Sequence, residues 1–131
     1  MTFAEAIKTN FSKYVTFSGR APRSEFWWWA LFTFIGNLIF GAIDMALFGT
    51  TITEPGSFSM ETHFSPFAGI FSLVVLLPSI SVAVRRLHDT DRTGWWWWLL
   101  LIPIIGIIVL IIWWATQGTR GPNRYGEDPL Q

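Results

Sequence analysis

Cysteine is absent from this chain of 131 residues, and charged residues make up only 14% of it. Without cysteine the chain has no disulfides, no thiolate metal ligands and no thiol nucleophile. An ordinary soluble domain carries about 25% charged residues, whereas this short chain is 51% hydrophobic and has too little polar surface to cover a soluble fold. The formal net charge is zero, so no general attraction to nucleic acid is expected.

Three long segments have almost no charge. Residues 26–48 contain one ionisable group, and residues 66–84 and 95–115 contain none. About 20 apolar residues in a helix cross the hydrocarbon core of a bilayer, and transmembrane strands would alternate in polarity instead. The sequence therefore predicts an all-α integral membrane protein with three hydrophobic helical segments, forming a single membrane domain over residues 1–131 with a polar tail at 116–131.

The distribution of basic residues predicts the orientation. Lysines and arginines occur before the first segment and in the loop between the second and third, whereas residues 49–65 contain neither and carry only Glu54, Glu61 and His63 as ionisable groups. The positive-inside rule places the N-terminus and the arginine-containing loop in the cytoplasm and residues 49–65 outside. Tryptophans at both ends of the third segment suit the headgroup level of the bilayer.

The third segment has two interpretations, because Pro103 and Gly106 lie near its middle. Proline and glycine are common in membrane helices, which favours a single kinked span that would leave the tail outside. The alternative is a segment broken at these residues into a re-entrant hairpin, which would return the tail to the cytoplasm.

The N-terminal region has helical periodicity. Phe3, Ile7, Phe11 and Tyr14 recur on one side, and Lys8 lies on the other. This pattern predicts an amphipathic helix over about residues 3–16, lying in the cytoplasmic interface. The alternative is a short helix that packs against the cytoplasmic loops.

Three groups of residues, in order along the chain, resemble the signatures of the DUF805 family of small bacterial inner-membrane proteins. The first group is Phe17–Ser18–Gly19–Arg20–Ala21, Arg23 and Glu25–Phe26–Trp27; the second is Arg85–Arg86–Leu87–His88–Asp89 and Gly94–Trp95–Trp96; the third is Pro103, Gly106, Asn123–Arg124–Tyr125–Gly126 and Asp128–Pro129. Asp91 stands where the family usually has Gly, and Glu127 where it often has Pro. The resemblance implies a multi-pass protein of the bacterial cytoplasmic membrane, in a family without established activity and therefore without catalytic residues to carry over.

His88 and Asp89 are the candidate chemical pair. A metal site needs three or four ligands, and the other histidine, His63, is expected on the opposite face of the membrane. General acid–base catalysis needs a positioned substrate, and no phosphate-binding loop, nucleophile elbow or zinc motif is present. We therefore expect no metal, no cofactor and no enzyme activity, with Asp89 instead pairing with a nearby arginine.

The basic residues predicted at the cytoplasmic face of the membrane suggest a binding site for anionic lipid headgroups. Guanidinium groups bind phosphate well, and basic pockets between spans hold anionic lipid headgroups; the simpler role is that of positive-inside anchors. The candidate headgroup or polar cluster is Arg20, Arg23, Glu25, Arg85, Arg86, His88, Asp89 and Arg124.

Two polar residues fall inside the first segment. Asn37 could hydrogen-bond another helix, and Asp44 could belong to an ion pathway or simply reach the outer interface. Since three spans bury little surface in one copy, a homo-oligomer or a larger membrane complex is expected. The sequence favours a non-enzymatic component of the membrane that binds partners or lipids, and the alternative is a small oligomeric channel or transporter.

Overall fold

The structure is a computed structural model that describes residues 2–61 and 64–130, so that His63 lies outside the described residues. The elements in chain order are α1 (Phe3–Ser12), α2 (Arg23–Phe48), β1 (Thr50–Glu54), β2 (Ser57–Glu61), α3 (Pro66–Asp89), a 3₁₀ helix (Gly94–Leu101) and α4 (Ile105–Ala115). The chain is predominantly helical, as predicted. The contacts divide it into two compact units, one formed by the residues up to Ala30 and from Leu77 onward, the other by Leu31–Leu76.

In the part of the chain that the structure describes, two helices have the length and apolarity to cross a membrane. Helix α2 begins directly after Pro22 and carries Glu25 in its first turn, where a missing amide donor costs nothing and a carboxylate meets the positive end of the helix dipole. Helix α3 begins with Pro66 itself. These helices correspond to the first two predicted segments.

Helix α3 continues five residues beyond the predicted apolar segment. Residues 85–89 form its last turn, although we expected them in a polar loop. Hydropathy falls after Val84, which sets the predicted boundary there, but Arg and Leu are good helix formers and no Gly or Pro occurs between Val84 and Gly94. The charged residues therefore project from a rigid helix end.

The predicted kinked single span at residues 95–115 is wrong, because the chain turns back on itself. The rings of Trp96 and Trp113 lie 5.6 Å apart, whereas a continuous helix would separate these residues by roughly 25 Å. Between the 3₁₀ helix and α4, Ile104 adopts a left-handed backbone with φ of 66°. A Cβ atom on Gly106 would collide with the carbonyl oxygen of Leu99, so the two arms approach closely because residue 106 is a glycine.

Helix α1 ends at Ser12, short of the predicted residue 16. The side chain of Thr2 caps its N-terminus by accepting from the amide of Glu5 at 3.2 Å. Ala6 and Asn10 are its buried residues, while the Phe3 and Phe11 rings contact Trp28 and Trp29 edge to face. The helix therefore packs against α2 and not, by these contacts, against a loop, and its position in a membrane interface stays a prediction.

In the second unit, Gly36 on α2 lies against the ring of Phe71 on α3, which also packs on Phe40 at 5.1 Å. The connection between the two helices contains a two-stranded antiparallel hairpin that was not predicted, in which Ile52 pairs with Ser59. Gly56 supplies its turn with φ of 86°, a conformation that glycine adopts without strain.

Candidate functional site

The end of α3 carries two arginines whose side chains are completely buried. Arg85 donates to Glu25 at the start of α2 at 2.7 Å, and the two side chains are 0% and 1% exposed. Its second nitrogen donates to the side-chain oxygen of Asn10 on α1 at 3.3 Å. The Nε atom of Arg85 is buried without a hydrogen-bond partner in the described part of the chain.

Arg86 and Arg20 share one carboxylate. Arg20 donates through Nε to one oxygen of Asp89 at 2.9 Å, and Arg86 donates to the other oxygen. The Asp89 side chain is 5% exposed, so each of its oxygens is held by a charged donor away from water. We call Arg20, Glu25, Arg85, Arg86 and Asp89 the arginine cluster.

Backbone carbonyl groups complete the coordination of these arginines. At the end of α4, Arg86 donates to the carbonyl oxygens of Trp114, at 2.9 Å, and Thr116, while Arg23 donates to that of Ala115 at 3.2 Å. The last carbonyls of a helix have no partner within it and carry the negative end of its dipole. The arginines therefore cap the C-terminus of α4.

The polar tail binds the same cluster through its backbone. Arg20 donates to the carbonyl oxygens of Gly121 at 2.7 Å and of Thr119, and the amide of Thr119 donates to the carbonyl of Asp89 at 2.7 Å. A Cβ atom on Gly118 would collide with the Asp89 carboxylate. The tail is thereby fixed to the end of α3.

The charges of the arginine cluster are nearly balanced. Three guanidinium groups face two carboxylates, which leaves one positive charge to be stabilised by carbonyl dipoles. Burying an unpaired charge costs several kcal/mol, roughly, even after relaxation, so such an arrangement persists only when each group has close partners. The cluster can hold α1, α2, α3, the end of α4 and the tail together. Its guanidinium groups donate their hydrogen bonds to protein atoms.

His88 lies on the same turn of α3, and its surroundings hold the ring in place. Its Nδ1 atom is 2.9 Å from the carbonyl oxygen of Gly19, and the ring of Tyr125 stacks on it with centroids 4.1 Å apart and planes 1° from parallel. The side-chain amide of Asn123 donates to the His88 carbonyl at 3.0 Å. The residue is 8% exposed.

An apolar cavity of about 640 Å³ opens beside His88. Its lining comes from the linker before α2, the last turns of α3 and the 3₁₀ helix, and consists of Phe17, Ile80, Val84, His88, Gly94, Trp95, Trp97 and Trp98. Small-molecule sites in proteins commonly enclose about 300–1,000 Å³ with mostly apolar walls and few polar groups. The cavity has the size and composition of a ligand site.

Arg124 lies outside the arginine cluster, on the surface. It pairs with Asp91 at 3.1 Å, and the two side chains are 59% and 48% exposed. An exposed pair of this kind contributes about 0–1 kcal/mol. Of the eight residues predicted for the cluster, five form it. Of the other three, Arg23 caps α4, His88 lines the cavity, and Arg124 forms a separate ion pair with Asp91 on the surface.

Asp128 fastens the last turn of the tail. Its carboxylate accepts from the amide of Leu130 at 2.9 Å and from that of Gly121 at 2.9 Å. These hydrogen bonds, that of Leu130 first, hold the pKa of the Asp128 carboxyl below its usual value, because they favour the charged form.

The two intramembrane polar residues belong to the second unit and have local partners. The buried Asp44 accepts from the backbone amides of Phe67 at 3.1 Å and Ala68 at 2.9 Å, which places its carboxylate at the positive N-terminus of α3. Asn37 accepts a longer hydrogen bond from the Ser72 hydroxyl at 3.4 Å.

Sequence reasoning missed several members of the site. Asn10 could have been found, because it follows Phe3 and Ala6 at helical spacing on an otherwise apolar face of α1. The carbonyl groups of the tail could not, since backbone acceptors leave no mark in the sequence. Among the described residues, no group of three or more His, Asp or Glu residues is arranged to hold a metal ion.

Among the described residues, two helices have the length and apolarity to span a membrane and are largely exposed along their apolar stretches, which is characteristic of integral membrane proteins of the helical class. The sequence model of a family described as "Protein of unknown function (DUF805)" matches residues 14–127, and the chain belongs to this family, as the signatures predicted.

The curated relatives include two named proteins of Escherichia coli (strain K12). Inner membrane protein YhaI is 40% identical to this chain over 116 residues, which cover 88% of the chain and 87% of YhaI. Inner membrane protein YhaH is 39% identical over 116 residues, which cover 88% of each. No solved structure matches the chain.

Proposed function

We propose that this protein is a non-enzymatic, multi-pass component of the bacterial inner membrane whose task is to bind a lipid. The cavity beside His88 carries the proposal, because it is an apolar space of ligand size bounded by the end of α3 and the tryptophans of the 3₁₀ helix. Tryptophan-rich walls suit the depth at which lipid headgroups meet acyl chains.

The arginine cluster supports a binding protein rather than an enzyme. Its guanidinium and carboxylate groups are engaged with one another and with backbone carbonyls. A catalytic acid or base needs access to a substrate proton, and Asp89 holds two arginines instead. The basic residues that remain to bind anionic headgroups are exposed ones, such as Lys8 on α1 and Arg120 in the tail. Helix α1 is accordingly proposed to lie in the cytoplasmic interface.

The proposed topology has two spans and a re-entrant hairpin. Helices α2 and α3 cross the bilayer, with the N-terminus in the cytoplasm and residues 49–65 outside. The hairpin of the 3₁₀ helix and α4 enters the membrane and returns, because α4 has 11 residues whereas about 20 are needed to span. The tail then lies in the cytoplasm.

A channel or transporter has less support. Transport sites collect polar groups at the bilayer midplane, whereas the Asp44 carboxylate caps α3 through two backbone amides. Association with further copies or with a larger complex stays compatible with the many exposed apolar side chains of α2 and α3.

The experiment is to purify the full chain from bacterial membranes in mild detergent and to identify co-purified lipids by mass spectrometry. Ile80→Trp fills the cavity from its wall, and Leu73→Trp adds the same bulk on the exposed side of the same helix, where Leu73 is 70% exposed. We expect one lipid species to be enriched over the bulk membrane in the native protein and in Leu73→Trp, and to be lost in Ile80→Trp. Equal, bulk-like lipid in all three samples contradicts the proposal.

A further inference from the structure

The polar edge of the cavity suggests which chemical class of lipid it takes. Apart from the indole N–H groups of its tryptophans, His88 is the lining residue with a polar side chain. His88 is 8% exposed, and its imidazole carries two ring nitrogens with different surroundings.

The hydrogen bond at Nδ1 decides the role of the other nitrogen. A carbonyl oxygen can only accept, so Nδ1, at 2.9 Å from the Gly19 oxygen, carries the proton. In the neutral ring, Nε2 is then an acceptor. It has no hydrogen-bond partner among residues 2–61 and 64–130, and stacking against Tyr125 holds the ring fixed. His88 lines the cavity, and Nε2 is the acceptor of its ring that the described residues leave unused.

The neighbouring cations do not add a phosphate site to this cavity. Arg85 and Arg86 are fully buried and donate to Glu25, Asn10, Asp89 and carbonyl oxygens. A phosphate or carboxylate is an acceptor without a proton to give to Nε2. An uncharged hydroxyl group has that proton, and an alkyl chain fits walls of Ile, Val, Phe and Trp.

We propose that the cavity binds a long-chain lipid alcohol whose hydroxyl group donates a hydrogen bond to Nε2 of His88. This assignment rests on the proposed lipid-binding function and names the ligand class within it. His88 is a specificity-determining residue in this account, and the apolar walls supply most of the affinity.

The test compares two ligands that differ only in the donor. Full-length protein in detergent micelles is labelled with a photoreactive hexadecanol analogue carrying a diazirine in its chain, and either 1-hexadecanol or its methyl ether competes for the site. Both competitors fill the apolar space and accept hydrogen bonds from indole groups, but the ether has no proton for Nε2. The variants are His88→Phe, Ile80→Trp and the control Leu73→Trp.

In the native protein and in Leu73→Trp we expect hexadecanol to compete about three- to tenfold better than the ether, the value of one hydrogen bond, with label in the tryptophan-containing peptide around residues 94–98. In His88→Phe the ratio of the two competitors should fall to about one while the ether competes as before, so that the ratio reports on the acceptor even if stability changes.

The outcomes separate this assignment from the proposed function. If both competitors bind the native protein equally well and Ile80→Trp blocks both, the cavity binds lipid but the role of His88 is overturned. If neither competitor displaces label from the cavity, the lipid-binding function itself fails. A preference for hexadecanol that persists in His88→Phe also overturns the assignment.

Discussion

The pair formed by Arg85 and Glu25 shows how charged residues are accommodated at the end of a membrane helix. Each is buried and each has a charged partner at hydrogen-bond distance. Replacing a whole buried ion pair with apolar residues is often neutral, but removing one member leaves a buried charge and costs about 3–5 kcal/mol. The interaction therefore fixes which helix ends meet, whether or not it adds net stability.

The double-mutant cycle at this pair tests that reasoning. We expect Arg85→Leu and Glu25→Leu each to lower the free energy of unfolding by about 3–5 kcal/mol, and the double variant to recover part of the loss. Arg124→Leu is the control, because its exposed pair with Asp91 should contribute less than about 1 kcal/mol. Unfolding of the detergent-solubilised protein in SDS gives the values, and a strictly additive double variant would contradict the account.

The hairpin formed by the 3₁₀ helix and α4 depends on close contact at one position. The missing side chain of Gly106 lets the α4 backbone approach Leu99 and Ile102. Hydropathy recorded this segment as one apolar run, because an apolar chain that reverses has the same composition as one that continues. Pro103 and Gly106 indicated where a break could fall, but the pairing of Trp96 with Trp113 was not readable from spacing.

Gly106→Ala should therefore destabilise the protein by about 1–3 kcal/mol, the usual cost of overpacking. Gly41→Ala is a matched control on α2, since nothing lies within 4 Å of its added methyl group and alanine is the better helix former by about 0.5–1 kcal/mol. The comparison uses the same SDS unfolding. A harmless Gly106→Ala would show that the two arms do not pack as described.

Asp44 has a helix-capping role that the sequence did not predict. The sequence predicts an ion pathway or contact with the outer interface for Asp44, whereas its carboxylate accepts hydrogen bonds from two backbone amides at the start of α3. Asparagine can cap a helix nearly as well as aspartate, whereas alanine costs about 0.5–2 kcal/mol.

We therefore expect Asp44→Asn to keep most of the stability and Asp44→Ala to lose about 0.5–2 kcal/mol. Solute flux through liposomes containing native protein, abolished by Asp44→Asn at unchanged stability, would instead assign the carboxylate to an ion pathway.

For the whole molecule, composition and the length of the apolar segments were sufficient to predict a helical membrane protein, because burial in lipid constrains every residue of a span, and the family was predicted from the resemblance of the three signatures. The same information left the third segment and the tail open. Their positions depend on carbonyl groups of Trp114, Thr116 and Thr119 that bind arginines, and no side-chain pattern encodes those contacts.

The location of the C-terminus tests the central claim most directly, since a hairpin in the third segment returns the tail to the side of the arginine cluster. Paired fusions at the C-terminus carry one reporter active only in the cytoplasm and one active only outside, and fusions truncated after Gly56 provide the opposite reference. We expect the C-terminal fusion to be active only with the cytoplasmic reporter. Activity only with the outside reporter would mean that the third segment crosses the membrane, and would contradict the hairpin.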